Sequence, residues 1–284
     1  MALVNFKDML IEARAEKYAI GAFNILDYIS MKAAMDAAQD LKSPIIIQTS
    51  EKTVRFWGFK TMISWITELD QSNNIPVALH LDHCKDLEFI ARCIDAGWTS
   101  VMIDASSKPF EENVELSCRV VEMAKPHNVS VEAELGEIGG VEDDIIVNEK
   151  DAHLASAEKS RIFLDAVKVD CFAPAIGTAH GLYKGEPKIA FDRLAEISSI
   201  SEIPLALHGG TGLTKEVFKR CISLGCAKVN ISTQLKYALI DSFASYYHKK
   251  PEEYNPMNIF KAQYEALKEA TSGNIRIFGS NGKT

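Results

Sequence analysis

The 284-residue sequence has no apolar run approaching the roughly 18 residues that a membrane span requires, and its six cysteines form no CxxC pair. The first absence excludes a transmembrane helix. Residues 1–17 alternate apolar and charged side chains like an amphipathic helix and lack the apolar centre of a signal peptide. Cys84, Cys93, Cys118, Cys171, Cys221 and Cys226 lie far apart, and a chain of this length needs no disulfide staples. These readings predict a reduced, cytoplasmic protein. Positive charge is also scarce, with 31 Lys and Arg against 39 Asp and Glu for a formal net charge of -8. That balance argues against nucleic acid or an anionic membrane as partner, so an anionic substrate must be held by local groups. With 47% hydrophobic and 25% charged residues, the composition excludes disorder, collagen-like repeats and low complexity. No linker or fixed-period repeat interrupts it, and 1–284 reads as one domain.

What is present is a recurring unit. Eight short runs rich in Val, Ile, Leu and Ala, at 19–25, 44–50, 76–83, 100–106, 130–136, 171–177, 204–210 and 227–233, are each followed by helical spacing. Runs apolar on both faces suit a parallel sheet covered by helices, and intervals of 23 to 41 residues leave room for one crossover helix each. Eight such units predict a single (β/α)8 TIM barrel with an extra helical segment at the C-terminus; an open doubly wound sheet is the alternative. The polar residues share a phase. Asn24, Ser50, Asp82, His83, Asp104, Ser106, Glu132, Glu134, His180, His208, Asn230 and Ser232 fall at or just beyond the C-terminal ends of the strands, where a barrel gathers its catalytic groups. After the fifth run, 136–144 carries paired glycines and acids and reads as a mobile or simply solvated loop.

Three of the seven histidines, His83, His180 and His208, hold such positions and match the three-ligand set of a catalytic zinc site. His80, His127, His153 and His248 read as structural. Asp82 lies beside His83, placed either to shuttle a proton or to support the ligand, but alternation sends the two to opposite sides unless the strand has ended. The seventh run closes on His208-Gly209-Gly210-Thr211-Gly212 and the eighth on Asn230-Ile231-Ser232-Thr233. Exposed N–H groups, hydroxyls and a following helix N-terminus make an anion site, and barrels often hold phosphate there.

Across nearly its whole length the chain resembles the class II, metal-dependent ketose-bisphosphate aldolases, which act on fructose and tagatose bisphosphates. The carriers are GAFN at 21–24, HLDH at 80–83, SVMIDAS and PFEENV within 100–114, SVEAELG and GGVEDD within 130–144, AIGTAHGLYKGEP at 175–187, LHGGTG at 207–212, KVNIST at 228–233 and IFGSNGK at 277–283. The resemblance implies zinc on His83, His180 and His208, with Glu134 and Asp104 as alternative ligands close to the metal. It implies that Asp82 exchanges a proton with the C4 hydroxyl, that Glu142 moves the C3 proton, and that Asn230 hydrogen-bonds the reacting carbon unit. Asn24, Gly181, Lys184, Gly209, Gly210, Thr211, Ser232 and Thr233 are expected to hold the substrate and its proximal phosphate, together with a monovalent cation. Ser50 and Arg276 are expected at the distal phosphate, Arg276 by reaching a neighbouring subunit. A homodimer or homotetramer follows from that reach.

The implied reaction is reversible cleavage of a ketose 1,6-bisphosphate, with fructose 1,6-bisphosphate ahead of the tagatose sugar and of other phosphorylated ketoses. The chain departs from the family pattern at Cys84, Ser107 and Leu26-Asp27-Tyr28. Cys84 is expected to pack rather than bind metal. Two rival readings are a Schiff-base aldolase, for which Lys228 is the one strand lysine but sits too early to reach the top face, and a non-catalytic barrel subunit that stabilises a partner aldolase.

Overall fold

The computed structural model describes residues 3–142, 145–147, 154–183 and 185–284. Eight parallel strands close a barrel in the order β1-β11-β10-β8-β5-β4-β3-β2. They are β1 (Ile20–Asn24), β2 (Ile45–Ser50), β3 (Val77–Cys84), β4 (Ser100–Ile103), β5 (Ser130–Leu135), β8 (Cys171–Pro174), β10 (Leu205–Leu207) and β11 (Cys226–Ile231). Each lies within or beside one of the eight apolar runs, so the predicted barrel is the observed one. Three further short strands, β6 (Gly139–Glu142), β7 (Ile145–Val147) and β9 (Ala179–His180), form a separate small sheet at the top of the barrel. The helices are α1 (Lys7–Glu16), α2 (Tyr28–Asp40), α3 (Glu51–Trp57), α4 (Phe59–Asp70), α5 (Leu87–Ala96), α6 (Phe110–Ala124), α7 (Ala157–Ala166), α8 (Phe191–Ile200), α9 (Lys215–Ser223), α10 (Thr233–Lys249) and α11 (Pro256–Phe278). None is long and apolar enough to cross a membrane.

Local chemistry sets the helix boundaries on the barrel's upper face. Ser50, Asp86, Ser156 and Thr214 each cap a helix by accepting a backbone N–H, and Asp27 forms a reciprocal capping box with Ser30. At Ser50 one short polar residue both ends β2 and starts α3.

Strand alternation divides the core in two. Phe23, Ile45, Ile47, Leu79, Leu81, Val101, Val131 and Val229 face the helices. Ile20, Ala22, Ile46, Ala78, Cys171, Ala173 and Ala206 face inward, against Phe6, Met9 and Leu10 of the α1 segment, which plugs the bottom. The Arg14 guanidinium fastens that plug by donating to the carbonyls of Ile203, Ser198 and Ser201. Higher along the same inward parity the residues turn polar, to Gln48, His80, Glu132 and Lys228 and then to Asn24, Asp82, Asp104, Glu134 and Asn230, all buried. The barrel is dry below and increasingly charged towards its mouth.

Part of the segment expected to be a mobile or solvated loop is drawn into the small sheet where it is described. β6 pairs antiparallel with β7 and parallel with β9, joining Gly140 to His180. Gly140 is required by this contact, because a Cβ there would lie 2.1 Å from the His180 carbonyl oxygen. The extra C-terminal helices α10 and α11 pack together, and α11 also packs along α2.

Candidate active site and metal centre

Asp82 and His83 occupy consecutive positions on β3, yet both enter the mouth. Here the expectation that the strand must have ended is corrected. The strand continues to Cys84, and His83 adopts a left-handed conformation, φ 44°, while the pairing register with β4 shifts between Leu81 and Cys84. This local break cancels the alternation that would have turned one side chain outward.

His83, His180 and His208 come together, with one ligand nitrogen from each lying within 4.8 Å of the others. Nitrogens bound at about 2.1 Å to one tetrahedral ion are themselves roughly 3–4 Å apart, so the trio needs little adjustment to close on a metal. Nδ1 of His83 donates to Asp104 at 3.0 Å, and Nε2 of His208 donates to Glu132 at 2.7 Å. With both outer nitrogens acting as donors, Nε2 of His83 and Nδ1 of His208 face each other across 2.8 Å. A shared proton or a metal cation satisfies that arrangement. The carboxylates thereby fix the tautomers that a metal requires.

The electrostatics agree. Burial alone would depress His83, but the charges of Asp82 and Asp104 and the hydrogen bond to Asp104 hold it well above the usual imidazole value. Burial, followed by the charges of His83 and Lys228, pushes His208 well below it. Asp104 is buried, yet the His83 and Ser106 hydrogen bonds hold its carboxyl far below the ordinary range. Glu134 is driven well above that range by burial and by Asp104. Its Oε2 lies 3.7 Å from His208 Nδ1 and 4.0 Å from His83 Nδ1, at the edge of the cluster.

Asp82 is gripped from two sides. Asn24 Nδ2 donates to Oδ2 at 2.8 Å, and Asn230 Nδ2 donates to Oδ1 at 3.2 Å. Gln48 orients Asn24 by donating to its Oδ1 at 2.8 Å. Burial opposes ionisation, but His83, Lys228, His208 and the Asn24 hydrogen bond outweigh it and leave the Asp82 carboxyl below its ordinary value. A carboxylate ionised at neutral pH and beside the three imidazoles is suited to take a proton.

His180, Gly181, Gly209, Gly210, Thr211, Asn230, Ser232 and Thr233 line a single cavity, which assembles most of the predicted anion site beside the histidine group. It opens on the first turn of α10, the positive end of the helix dipole, which favours an anion. Gly209 has φ 66°, and a Cβ would fall 2.5 Å from the Ala179 oxygen, so only glycine permits the close approach. Tyr183, overlooked in the sequence, locks these loops by donating to the Gly209 carbonyl at 2.8 Å and accepting from the Ala179 N–H at 3.1 Å. Burial raises its hydroxyl to about 12, so it remains a neutral donor.

Ser50 lies in register with Asp82 at the end of β2, but its hydroxyl also caps α3 through Thr53. Arg276, expected to serve a neighbouring subunit's site, lies away from this chain's own. It is exposed in the last turn of α11, whose end is tied to the strand starts by Ala19 N–H donating to the Phe278 oxygen and by Ser43 bonding Ser280. Those contacts put Arg276 at the end of the barrel opposite His83, so it does not complete this chain's own site. Lys184 lies outside the described residues, and so does the side chain of Glu142, whose backbone ends β6. Cys84 is buried, with Sγ 3.6 Å from Glu51 Oε2 and from the Asp86 oxygen, and burial raises its thiol to about 12. It stands outside the histidine group, as expected.

Residues 4–283 match the family model described as fructose-bisphosphate aldolase class-II. This chain belongs to that family. A fructose-bisphosphate aldolase of Geobacillus stearothermophilus is 44% identical over 286 residues, covering 100% of this chain and 99% of that protein. The D-tagatose-1,6-bisphosphate aldolase subunit GatY of Klebsiella oxytoca is 40% identical over 283 residues, covering 100% of both. Among solved structures, the YdjI aldolase of Escherichia coli K12 superimposes with a TM-score of 0.88 at 30% identity, over 99% of each chain.

Proposed function

We propose that this protein cleaves fructose 1,6-bisphosphate reversibly to dihydroxyacetone phosphate and glyceraldehyde 3-phosphate. The observation that carries this reading is the convergence of three histidine nitrogens within 4.8 Å, beside a doubly hydrogen-bonded Asp82. Zinc bound by His83, His180 and His208 would supply a Lewis acid that stabilises the negative charge left when the C3–C4 bond breaks. Asp82 takes the C4 hydroxyl proton as the aldehyde forms, while Asn24 and Asn230 hold its carboxylate in place. Glycines 181, 209 and 210, with Thr211, Ser232 and Thr233, hold the proximal phosphate, and a monovalent cation fits the same role. Ser50 faces the distal end, and Glu142 is assigned the C3 proton.

The substrate is tested by following triose phosphate release from fructose and tagatose 1,6-bisphosphates with one zinc-loaded preparation. The fructose sugar should be cleaved faster. A reversed ratio assigns the tagatose sugar, and no cleavage of either moves the reading to another phosphorylated ketose or to a non-catalytic subunit.

The same reading includes a homo-oligomer. Tyr237, Ile240, Phe243 and Tyr247 form an exposed apolar stripe on α10, continued by Met257 and Phe260 on α11. A stripe of this kind suits burial against a second copy, each copy presenting the same face. Light scattering should give at least twice the chain mass, falling to one chain mass in Ile240→Glu/Phe243→Glu; a monomeric wild type overturns it.

A further inference from the structure

Inside the barrel, below the mouth, Lys228 has no solvent exposure. An ammonium there is strongly unfavourable unless it is paired and hydrogen-bonded. Its Nζ lies 3.0 Å from Glu132 Oε2 and 2.6 Å from Asn230 Oδ1, and these two contacts lead in different directions.

Through Glu132 the path runs to the metal centre. The other carboxylate oxygen, Oε1, accepts the Nε2 proton of His208, which leaves Nδ1 of that ring facing His83. Lys228 thus anchors the carboxylate that sets the His208 tautomer. Through Asn230 the path runs to the acid–base group. An amide can present either its oxygen or its NH2 to a neighbour, and beside an ammonium only the oxygen is tolerated. Lys228 therefore settles which way Asn230 points, and the NH2 is turned onto Asp82 Oδ1.

We infer that Lys228 is a positioning residue that holds both halves of the catalytic centre, His208 through Glu132 and Asp82 through Asn230. The inference rests on the aldolase reading for the Asp82 half; the His208 half stands on geometry alone. It also gives the strand lysine a role other than Schiff-base formation, because the ammonium is already engaged by two partners.

Lys228→Met keeps an unbranched side chain, one atom shorter, and removes its charge and donors. Cobalt(II) serves as the probe of the metal centre, read by titration and by visible absorption. The variant should bind cobalt(II) about 10- to 100-fold more weakly, with an altered spectrum. It should also lose kcat by about 100-fold or more while KM stays within about 3-fold, as expected for a group that acts in the transition state. Lys228→Met/Glu132→Gln removes the carboxylate left without its partner, and the glutamine oxygen still accepts from His208. Cobalt binding and folding should recover there, whereas kcat should stay low because Asn230 remains unanchored. This double variant carries the test if the single one does not fold.

Wild-type kcat and cobalt spectrum in Lys228→Met would overturn the inference, as would wild-type kcat in the double variant, which would reduce Lys228 to a counter-charge. If the wild-type protein cleaves no ketose bisphosphate, the aldolase reading fails by itself, and the cobalt measurements still decide the His208 half.

Discussion

Stripping the metal with a chelator is expected to abolish ketose-bisphosphate cleavage, and adding back zinc to restore it. The expectation comes from His83 and His208, whose outer nitrogens are committed to Asp104 and Glu132 and whose inner nitrogens face each other at 2.8 Å. Among the described residues no other side chain at the mouth offers a concentrated positive charge, because Lys228 is buried below and already paired. The loss should exceed about 10³-fold, since electrostatic stabilisation of developing charge is usually the largest single contribution to such a reaction. Stability should move with it. A ligand that binds only the folded chain adds about 4 kcal/mol at 1,000 times its Kd, so the stripped protein should unfold several degrees lower. The checks are a coupled assay and a thermal melt on one preparation, with metal content measured beside both. Cleavage that survives complete metal removal would sink the metal-centred reading and reopen the Schiff-base route.

Asp82→Asn should leave metal binding intact and lose cleavage by about 10²- to 10⁴-fold, the usual worth of a positioned general base. In barrier terms that is roughly 3–5 kcal/mol. The near-isosteric amide cannot take a proton, and it also misfits its surroundings. Asn24 and Asn230 both present NH2 groups to the carboxylate, so one of them would meet the NH2 of the new amide rather than an oxygen. A lost buried hydrogen bond of this kind costs about 1–3 kcal/mol of stability. Steady-state kinetics with metal analysis decide it: near wild-type kcat in a fully loaded Asp82→Asn protein would remove Asp82 from the proton transfer.

Much of the site was legible because strand residues two apart share a face. Asp82, His208, Asn230 and Ser232 could be read as barrel-top groups from their place at the ends of apolar runs. The same parity carried a signal for Gln48, Glu132 and Lys228, two residues before Ser50, Glu134 and Asn230, but a polar residue deeper in a strand does not by itself reveal its partner. His180 was the hardest to place by periodicity, since β8 ends at Pro174 and the histidine belongs to the separate two-residue strand β9.

The sequence by itself determined the barrel, because periodicity is local and survives in one dimension, and its family resemblance pointed to the three histidines. Only the tertiary structure decided that His83 turns inward through a left-handed backbone, that β6 holds β9 in place, and that Arg276 lies at the opposite end of the barrel. It alone also joined Lys228 to Glu132 and Asn230. These features depend on atoms from distant segments meeting, and the energy of a buried charge is settled by those neighbours rather than by its place along the chain.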